Sequence, residues 1–174
     1  MPVITTSYIS PVGELILGSF QNKLCLCDWK SRQRRKAIDQ KIASTLNEPF
    51  HQGMDSLLNL SMEQLNEYFA GERKSFDIPI LECGSHFQKE VWKALRDIPY
   101  GTVMSYGQLA QSMGKPNSTR AVANANAANA ISIITPCHRI IGSSGKLVGY
   151  AGGMDAKKHL LKHECPDVLD FSTS

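Results

Sequence analysis

The chain has 174 residues, of which 42% are hydrophobic and 20% are charged, and its formal net charge at neutral pH is +3. This composition is typical of a soluble globular protein and leaves room for one large core or two small ones. No run of 18 apolar residues occurs, which excludes a membrane-spanning helix. The opening stretch, MPVITTSYISPVGE, lacks the basic residues and the long apolar core of a secretory signal. We therefore expect no contact with a membrane.

Five cysteines occur, at positions 25, 27, 83, 137 and 165. An odd number without a secretory signal favours reduced thiols, which predicts the cytoplasm, or the nucleus if the source is eukaryotic. Cys25 and Cys27 are two residues apart and would share one face of a strand, where core packing is the favoured interpretation. The sequence has no second closely spaced cysteine pair that could complete a set of metal ligands, so it predicts no metal site.

The first part of the chain predicts three strands joined by tight turns. Stretches rich in β-branched, aliphatic and aromatic residues are separated by Pro11–Gly13 and Asn22–Lys23, a pattern typical of an antiparallel meander. The predicted strands lie at 3–9, 15–20 and 24–29. The basic run from Arg32 to Lys36 follows, and a solvated helix face is favoured over a DNA-binding patch for it.

A helix and a further extended segment follow this meander. Ser61 has the character of a helix cap, and apolar residues at helical spacing continue to Gly71. Alternating Phe76, Ile78 and Ile80 predict one more strand. Residues 1–82 are therefore predicted to form a small α+β domain, with a three-stranded antiparallel sheet covered by helix, and nothing catalytic is evident in it.

The second half is more basic and more helical. Residues 83–174 contain ten Lys and Arg against six Asp and Glu, a net charge of +4, whereas residues 1–82 have a net charge of −1. Apolar spacing predicts helices over 87–95, 105–113, 118–128 and 155–163. The break at Gly114–Asn117 separates two short helices, as in a helix-turn-helix. We expect residues 83–174 to form a mostly helical, winged-helix-like domain with a short ribbon, which makes the whole chain α+β.

One motif in this half has the residues for nucleophilic chemistry. Cys137 lies between two apolar runs and is followed directly by His138 and Arg139. The thiolate is the reactive form of cysteine, and nearby positive charge favours it. His138 is therefore the candidate base, and Arg139 is the candidate source of positive charge.

Two distant polar residues complete this candidate site. Neighbours in sequence rarely face each other, so proton transfer from Cys137 to His138 would pass through a turn or a water molecule. A third group usually orients such a base, and Glu164, at the end of the last predicted helix, is the candidate. Asn129 is placed to brace the turn by bonding backbone. On these residues alone, an inert buried thiol remains an alternative for Cys137.

The motif Pro136-Cys137-His138-Arg139, followed by GYAGG, resembles the O6-alkylguanine-DNA alkyltransferases, also called methylated-DNA–protein-cysteine methyltransferases. The likeness extends from about Phe87 to Glu164 and includes FQKEVWKALRDIPYGTVMSYGQLA and TRAVANA. It implies a DNA-repair protein that transfers an alkyl group from O6-alkylguanine to its own cysteine and is inactivated by that single turnover. O4-alkylthymine stays open as a second substrate.

The resemblance also implies a role for individual residues. Cys137 would attack the alkyl carbon, His138 and Glu164 would relay the thiol proton through water, and Asn129 would hold the turn. Tyr106 would rotate the nucleotide and donate to the leaving base, and Arg120 would fill the gap in the base stack. The implied guanine pocket consists of Tyr106, Ile140, Tyr150, Ala151 and Gly152, and the implied DNA contacts are Tyr106, Arg120, Asn117, Ser118, Thr119 and Ser143.

The expected partner is double-stranded DNA that contains alkylated bases, bound by a monomer. An alkylated base inside a duplex cannot meet a nucleophile in line, so it must be flipped out at a cost of roughly a few kcal/mol. The small side chains over 121–128 and the isolated Arg120 suit such an approach. The resemblance implies neither a metal nor an organic cofactor.

Two departures from the family and three alternatives accompany this interpretation. Ala151 stands where some members have serine, and the run 123–130 is rich in alanine and asparagine where glycine is expected. The alternatives are a lesion-binding module without transfer, a thiol hydrolase that uses Cys137, His138 and Glu164, and a helix-turn-helix regulator. Adjacent Cys and His disfavour the hydrolase, and no dimerisation segment is evident for a regulator.

Overall fold

The computed structural model describes residues 1–167 and divides them into two units, one over Met1–Cys83 and one that begins at Gly84. Over the described range, no helix is both long and apolar enough to cross a membrane. The α+β class predicted from the sequence is confirmed, because a sheet dominates the first unit and helices dominate the second.

The first unit is built on a meander whose strands are β1 (Val3–Ser10), β2 (Gly13–Phe20) and β3 (Lys23–Trp29). Neighbouring strands pair antiparallel, as predicted. The second turn has positive φ at both Gln21 and Asn22, which matches the right-handed twist of the flanking strands. Cys25 and Cys27 are buried on β3, and burial raises the pKa of the Cys25 thiol to about 12, so this thiol is inert.

The sheet has four strands, so the prediction of a three-stranded antiparallel sheet is wrong. A short strand, β4 (Phe50–Gln52), pairs parallel with β1 and gives the order β3-β2-β1-β4. Three residues are too few to show a period-2 pattern, which is why the sequence did not reveal it. The alternating segment 76–80 is not a strand, since only Ile80 forms an isolated bridge, to Leu24.

Two helices complete the first unit, α1 (Arg35–Leu46) and α2 (Ser56–Phe69), and α2 packs on the sheet. The prediction that Ser61 caps α2 is wrong. Asp55 caps it by accepting a 2.8 Å hydrogen bond from the Leu58 amide, while Ser61 is buried within the helix. The basic run is only partly solvated, because Arg32 is buried and pairs with Asp28 at 3.0 Å.

The second unit contains α3 (His86–Arg96), α4 (Tyr106–Ser112), α5 (Thr119–Ala127) and α6 (Met154–Glu164). Its core is formed by α3 and α4 packing on α5. Ser105 caps α4 as predicted, with a capping box to Gln108. Ser118 stands at the cap position of α5, but its side chain makes no capping hydrogen bond. Central core side chains are Val91, Leu95, Leu109, Val122 and Ile140.

A two-residue pair of strands joins two distant segments of this unit. β5 (Met104–Ser105) and β6 (Ile140–Ile141) are parallel, with Met104 opposite Ile140. β5 runs directly into α4, and β6 follows directly after a 3-10 turn over Cys137–Arg139. The pair therefore fixes the start of α4 beside the cysteine turn.

Candidate active site

Cys137 opens the 3-10 turn and is only 4% exposed, in the core cluster of the second unit. Its amide donates to the Thr135 carbonyl at 2.8 Å, and the Arg139 amide donates to the Pro136 carbonyl at 3.0 Å. Tyr106, Tyr150 and Phe87 are half-buried aromatic side chains that pack against the same cluster. Backbone hydrogen bonds thus fix the turn that carries the thiol.

Asn129 brackets the segment that leads into this turn. Its Nδ2 donates to the carbonyls of Thr135 at 3.0 Å and Ile131 at 3.4 Å, and its Oδ1 accepts from the Ile131 amide at 3.0 Å. Between these points Ile133 has a φ of +73°, a region that β-branched residues seldom adopt. Such strain costs about 1–3 kcal/mol and requires surrounding contacts to hold it. The buried Asn129 side chain supplies those contacts.

His138 and Glu164 form a fully buried pair. His138 Nε2 lies 2.7 Å from Glu164 Oε2, and the exposed fraction of the two side chains is 0% and 1%. Arg139 completes the cluster, because its Nε donates to Glu164 Oε1 at 2.7 Å and its Nη2 donates to Oε2 at 3.2 Å. One carboxylate from α6 therefore satisfies both residues that follow Cys137.

The charges of this cluster follow from its surroundings. Burial alone would raise the pKa of Glu164, but the hydrogen bonds and charges of His138 and Arg139 outweigh it and hold that pKa well below its usual range. Burial lowers the pKa of His138, which Glu164 only partly offsets. An ionised Glu164 accepts from Nε2–H, so the neutral ring has its lone pair on Nδ1. Within residues 1–167 that Nδ1 atom has no hydrogen-bond partner, and it is available as a proton acceptor.

Arg139, the candidate source of positive charge for the thiol, is bound by Glu164 and by groups from other segments. Besides Glu164, its guanidinium donates to the Ile98 carbonyl at 2.6 Å and lies 5.7 Å from the ring centre of Tyr100. Its charge is consequently neutralised by Glu164 inside the core. The sequence could not reveal this, since Ile98 and Glu164 are distant along the chain.

Lys157 is the buried charge that sequence reasoning missed. It lies on α6 with an exposed fraction of 0%, and its Nζ donates to the Val148 carbonyl at 2.7 Å. The spacing of Lys157, Leu160, Leu161 and Glu164 was visible in the sequence as one helix face. Two inward leucines on that face could have indicated that the lysine also points inward.

Tyr106 and Tyr150 both pack against the core cluster that contains Cys137. Tyr106 is the first residue of α4, and burial and then the neighbouring Cys137 raise its pKa, which a hydrogen bond with the Asn126 side chain opposes. The Tyr150 ring meets His138 edge-on, with 6.4 Å between ring centres. Ala151 and Gly152 follow in a half-buried turn. Ile140 is fully buried in the core cluster that also contains Cys137.

The predicted DNA contacts lie on the outside of the second unit. Asn117, Thr119 and Arg120 are exposed at the start of α5, and Ser118 is half-buried between them. Ser143 is exposed in the turn after β6, which the Gly142 amide closes by donating to the Lys146 carbonyl at 2.7 Å. Backbone amides at the start of a helix favour phosphate groups, which suits this end of α5.

Comparison with known proteins identifies the family. Residues 3–81 match the ribonuclease-like domain of 6-O-methylguanine DNA methyltransferase, and residues 86–165 match its DNA-binding domain. A methylated-DNA–protein-cysteine methyltransferase of Methanosarcina acetivorans is 43% identical over 89% of this chain and 94% of its own length. The chain belongs to the methylated-DNA–protein-cysteine methyltransferase family.

Other members of this family support the same assignment. A Shigella flexneri methylated-DNA–protein-cysteine methyltransferase is 53% identical over 59% of this chain and 60% of its own length. The crystal structure of Mycobacterium tuberculosis OGT in complex with DNA is 39% identical, with a TM-score of 0.79 and 92% of each chain covered. The Mycobacterium tuberculosis O6-methylguanine methyltransferase structure is 37% identical, with a TM-score of 0.78 over 97% of this chain and 96% of that chain.

Proposed function

We propose that this protein repairs DNA by transferring the methyl group of O6-methylguanine to Cys137, once per molecule. The observation that carries the proposal is the buried hydrogen bond between neutral His138 and ionised Glu164, directly after the buried Cys137 in the same turn. Membership of the methyltransferase family supports the same reaction.

The proton path begins at the thiol. His138 Nδ1 accepts the Cys137 proton through one water molecule, while Glu164 stabilises the imidazolium that forms. The thiolate then attacks the methyl carbon, the new sulfur–carbon bond forms, and the bond from that carbon to O6 breaks. The departing guanine anion takes a proton that Tyr106 donates. His138 returns the thiol proton to the phenolate, directly or through solvent.

The target base must leave the duplex before it reaches the buried cysteine. We propose that Arg120, exposed at the start of α5, fills the gap in the base stack, while Asn117, Ser118, Thr119 and Ser143 contact the DNA backbone. The flipped base then lies in a pocket formed by Tyr106, Ile140, Tyr150, Ala151 and Gly152. A Mycobacterium tuberculosis relative has been solved in complex with DNA, which supports DNA binding by this chain.

The reaction consumes the protein. Its product is a thioether, a stable covalent link to Cys137, so each molecule acts once. The nucleophile, the base and the proton donor all come from this chain, so the proposed reaction requires no metal or organic cofactor. Among residues 1–167 no cluster of His, Cys, Asp or Glu is arranged to hold a metal ion.

A single chain contains the whole proposed site, which supports action as a monomer. A reactive thiol requires a reducing compartment such as the cytoplasm.

Intact mass spectrometry after mixing the protein with a duplex that contains one O6-methylguanine tests this proposal. We expect a gain of one methyl group that maps to Cys137 and is absent in Cys137→Ser. Cys165→Ser is the matched control, because it removes a half-exposed thiol of the same unit and should leave transfer intact. Binding of the duplex without a mass gain would instead identify a lesion-binding module, and repeated turnover without a mass gain would identify a hydrolase.

A further inference from the structure

Lys157 is a charged residue that the reaction described above does not use. It is fully buried on α6, and its ammonium group donates to the Val148 carbonyl at 2.7 Å. Among the residues that the structure describes, no carboxylate pairs with it. An ammonium group with one carbonyl partner is costly to bury, so a structural role alone is a poor reason for a lysine at this position.

The helix that carries Lys157 also carries Glu164. The two residues are seven positions apart, which places them on one face of α6, and this helix packs on the 3-10 turn over Cys137–Arg139. At one end of the face, Glu164 meets His138 and Arg139. At the other end, the Lys157 charge interacts with Cys137. α6 therefore bonds the basic residues of the turn through a carboxylate, and the same buried face carries an ammonium group whose charge interacts with the thiol of that turn.

No other described cation takes this place. Arg139 is held by Glu164 and the Ile98 carbonyl, and burial together with Arg139 and Lys157 keeps His138 neutral. Burial lowers the pKa of Lys157 to about 8, which the charge of Cys137 partly opposes, so the ammonium form predominates at neutral pH. Lys157 is thus the cation near the thiol that keeps its charge without a carboxylate beside it.

We propose that Lys157 supplies the positive charge that stabilises the Cys137 thiolate and, through the Val148 carbonyl, fixes the segment that leads to Tyr150. This inference rests on the proposed function, since the thiolate is the attacking group there. Lys157 is a positioning residue, and the chemical step is unchanged. The other ionisable groups that face this pair are Tyr106 on α4, His138 and Arg139 on the turn, and Glu164 on α6.

The first test measures Cys137 reactivity without DNA. Iodoacetamide labelling of Cys137 is followed against pH by peptide mapping, with Cys165 in the same digest as the reference thiol. Because a favourable charge shifts a thiol pKa by about one unit or more, we expect Lys157→Met to slow labelling at pH 7 by about tenfold and to move the profile to higher pH. Lys157→Arg keeps the charge and should restore the wild-type profile. Identical profiles for wild type and folded Lys157→Met would overturn the inference.

The second test measures methyl transfer from the O6-methylguanine duplex. Lys157→Met should slow transfer by the same factor as labelling, while duplex affinity, measured with Cys137→Ser in both backgrounds, stays unchanged. If wild type transfers no methyl group but its labelling depends on Lys157, the proposed function fails and this inference stands. Equal transfer by wild type and Lys157→Met would refute the inference and leave the function intact.

A third test measures the pKa of Lys157 itself, and it substitutes Lys157 only to assign its NMR resonance. The pKa of Lys157 is followed by carbon-13 NMR of labelled lysine in wild type and in Cys137→Ser, with Lys157→Arg to identify its resonance. Removing the thiolate removes a favourable charge, so we expect a lower Lys157 pKa in Cys137→Ser. The same pKa in both proteins would overturn the proposal even if Lys157→Met does not fold.

Discussion

Replacing Glu164 with glutamine tests how the cluster behind Cys137 stabilises the second unit. Both carboxylate oxygens accept hydrogen bonds, Oε1 from Arg139 Nε at 2.7 Å and Oε2 from His138 Nε2 at 2.7 Å and Arg139 Nη2 at 3.2 Å. Glutamine has the same shape but only one oxygen. Either orientation of its amide sets an NH2 group against a donor and leaves the Arg139 cation buried without a counter-charge.

The structure sets the size of the effect. Removing one partner of a buried ion pair typically costs about 3–5 kcal/mol, because the other charge stays buried and unpaired. Glutamine keeps one acceptor, so we expect a loss near the lower end, about 3 kcal/mol. The matched control is Glu90→Gln, which disrupts an exposed pair with His86 in the same unit and should cost at most about 1 kcal/mol.

Urea unfolding followed by tryptophan fluorescence measures this loss. Trp92 lies in the second unit, where its Nε1 donates to the Ala125 carbonyl at 2.8 Å, so a Trp29→Phe background reports that unit alone. With a urea dependence of about 1–2 kcal/mol per molar, the midpoint of Glu164→Gln should fall by at least about 1.5 M. A fall no larger than that of Glu90→Gln would refute the reasoning.

The same comparison has a defined pH dependence. The pKa of Glu164 lies well below its unfolded value of 4.5, because His138 and Arg139 outweigh the effect of burial. Its contribution to stability is therefore complete above about pH 4.5 and is lost as the pH falls through the folded pKa. The gap in unfolding free energy between wild type and Glu164→Gln should shrink progressively below pH 4.5. A gap that is equal at pH 7 and pH 3 would contradict an ionised Glu164.

Three further outcomes are expected. Asn129→Ala should lower the unfolding free energy by about 2–4 kcal/mol, because it leaves buried backbone groups near Cys137 unpaired. The control Asn124→Ala, at an exposed position, should change the unfolding free energy little. Equal losses in the two variants would contradict the role of Asn129 in bracing the turn. Arg120→Ala should slow methyl transfer from duplex DNA without slowing transfer from the free base. Lys89→Ala, at another exposed position of the same unit, serves as the control. An equal effect on both substrates would exclude a role for Arg120 in filling the gap in the base stack. Tyr106→Phe should slow transfer by about 10²-fold or more with duplex affinity retained, and an unchanged single-turnover rate would exclude it as the proton donor.

Local sequence patterns predicted the regular elements that carry this site. The meander, the Ser105 cap and the helices of the second unit depend on periodicity and capping within about ten residues, and these are readable from the chain. The Pro136–Arg139 motif likewise pointed to the family and to Cys137 before any fold was known. Patterns failed at β4, which is too short to show a period, and at the start of α2, where Asp55 and not Ser61 is the cap.

The amino-acid sequence by itself determined the α+β class, the candidate nucleophile and its family. Only the tertiary structure decided the electrostatics around that nucleophile, because these depend on which side chains are brought together from distant segments. Arg139 follows Cys137 in sequence yet is neutralised by Glu164, whereas Lys157, twenty positions away, is buried with its charge near the thiol. Burial removes water from these groups, so their pKa values follow from the partners that the fold provides and not from their order along the chain.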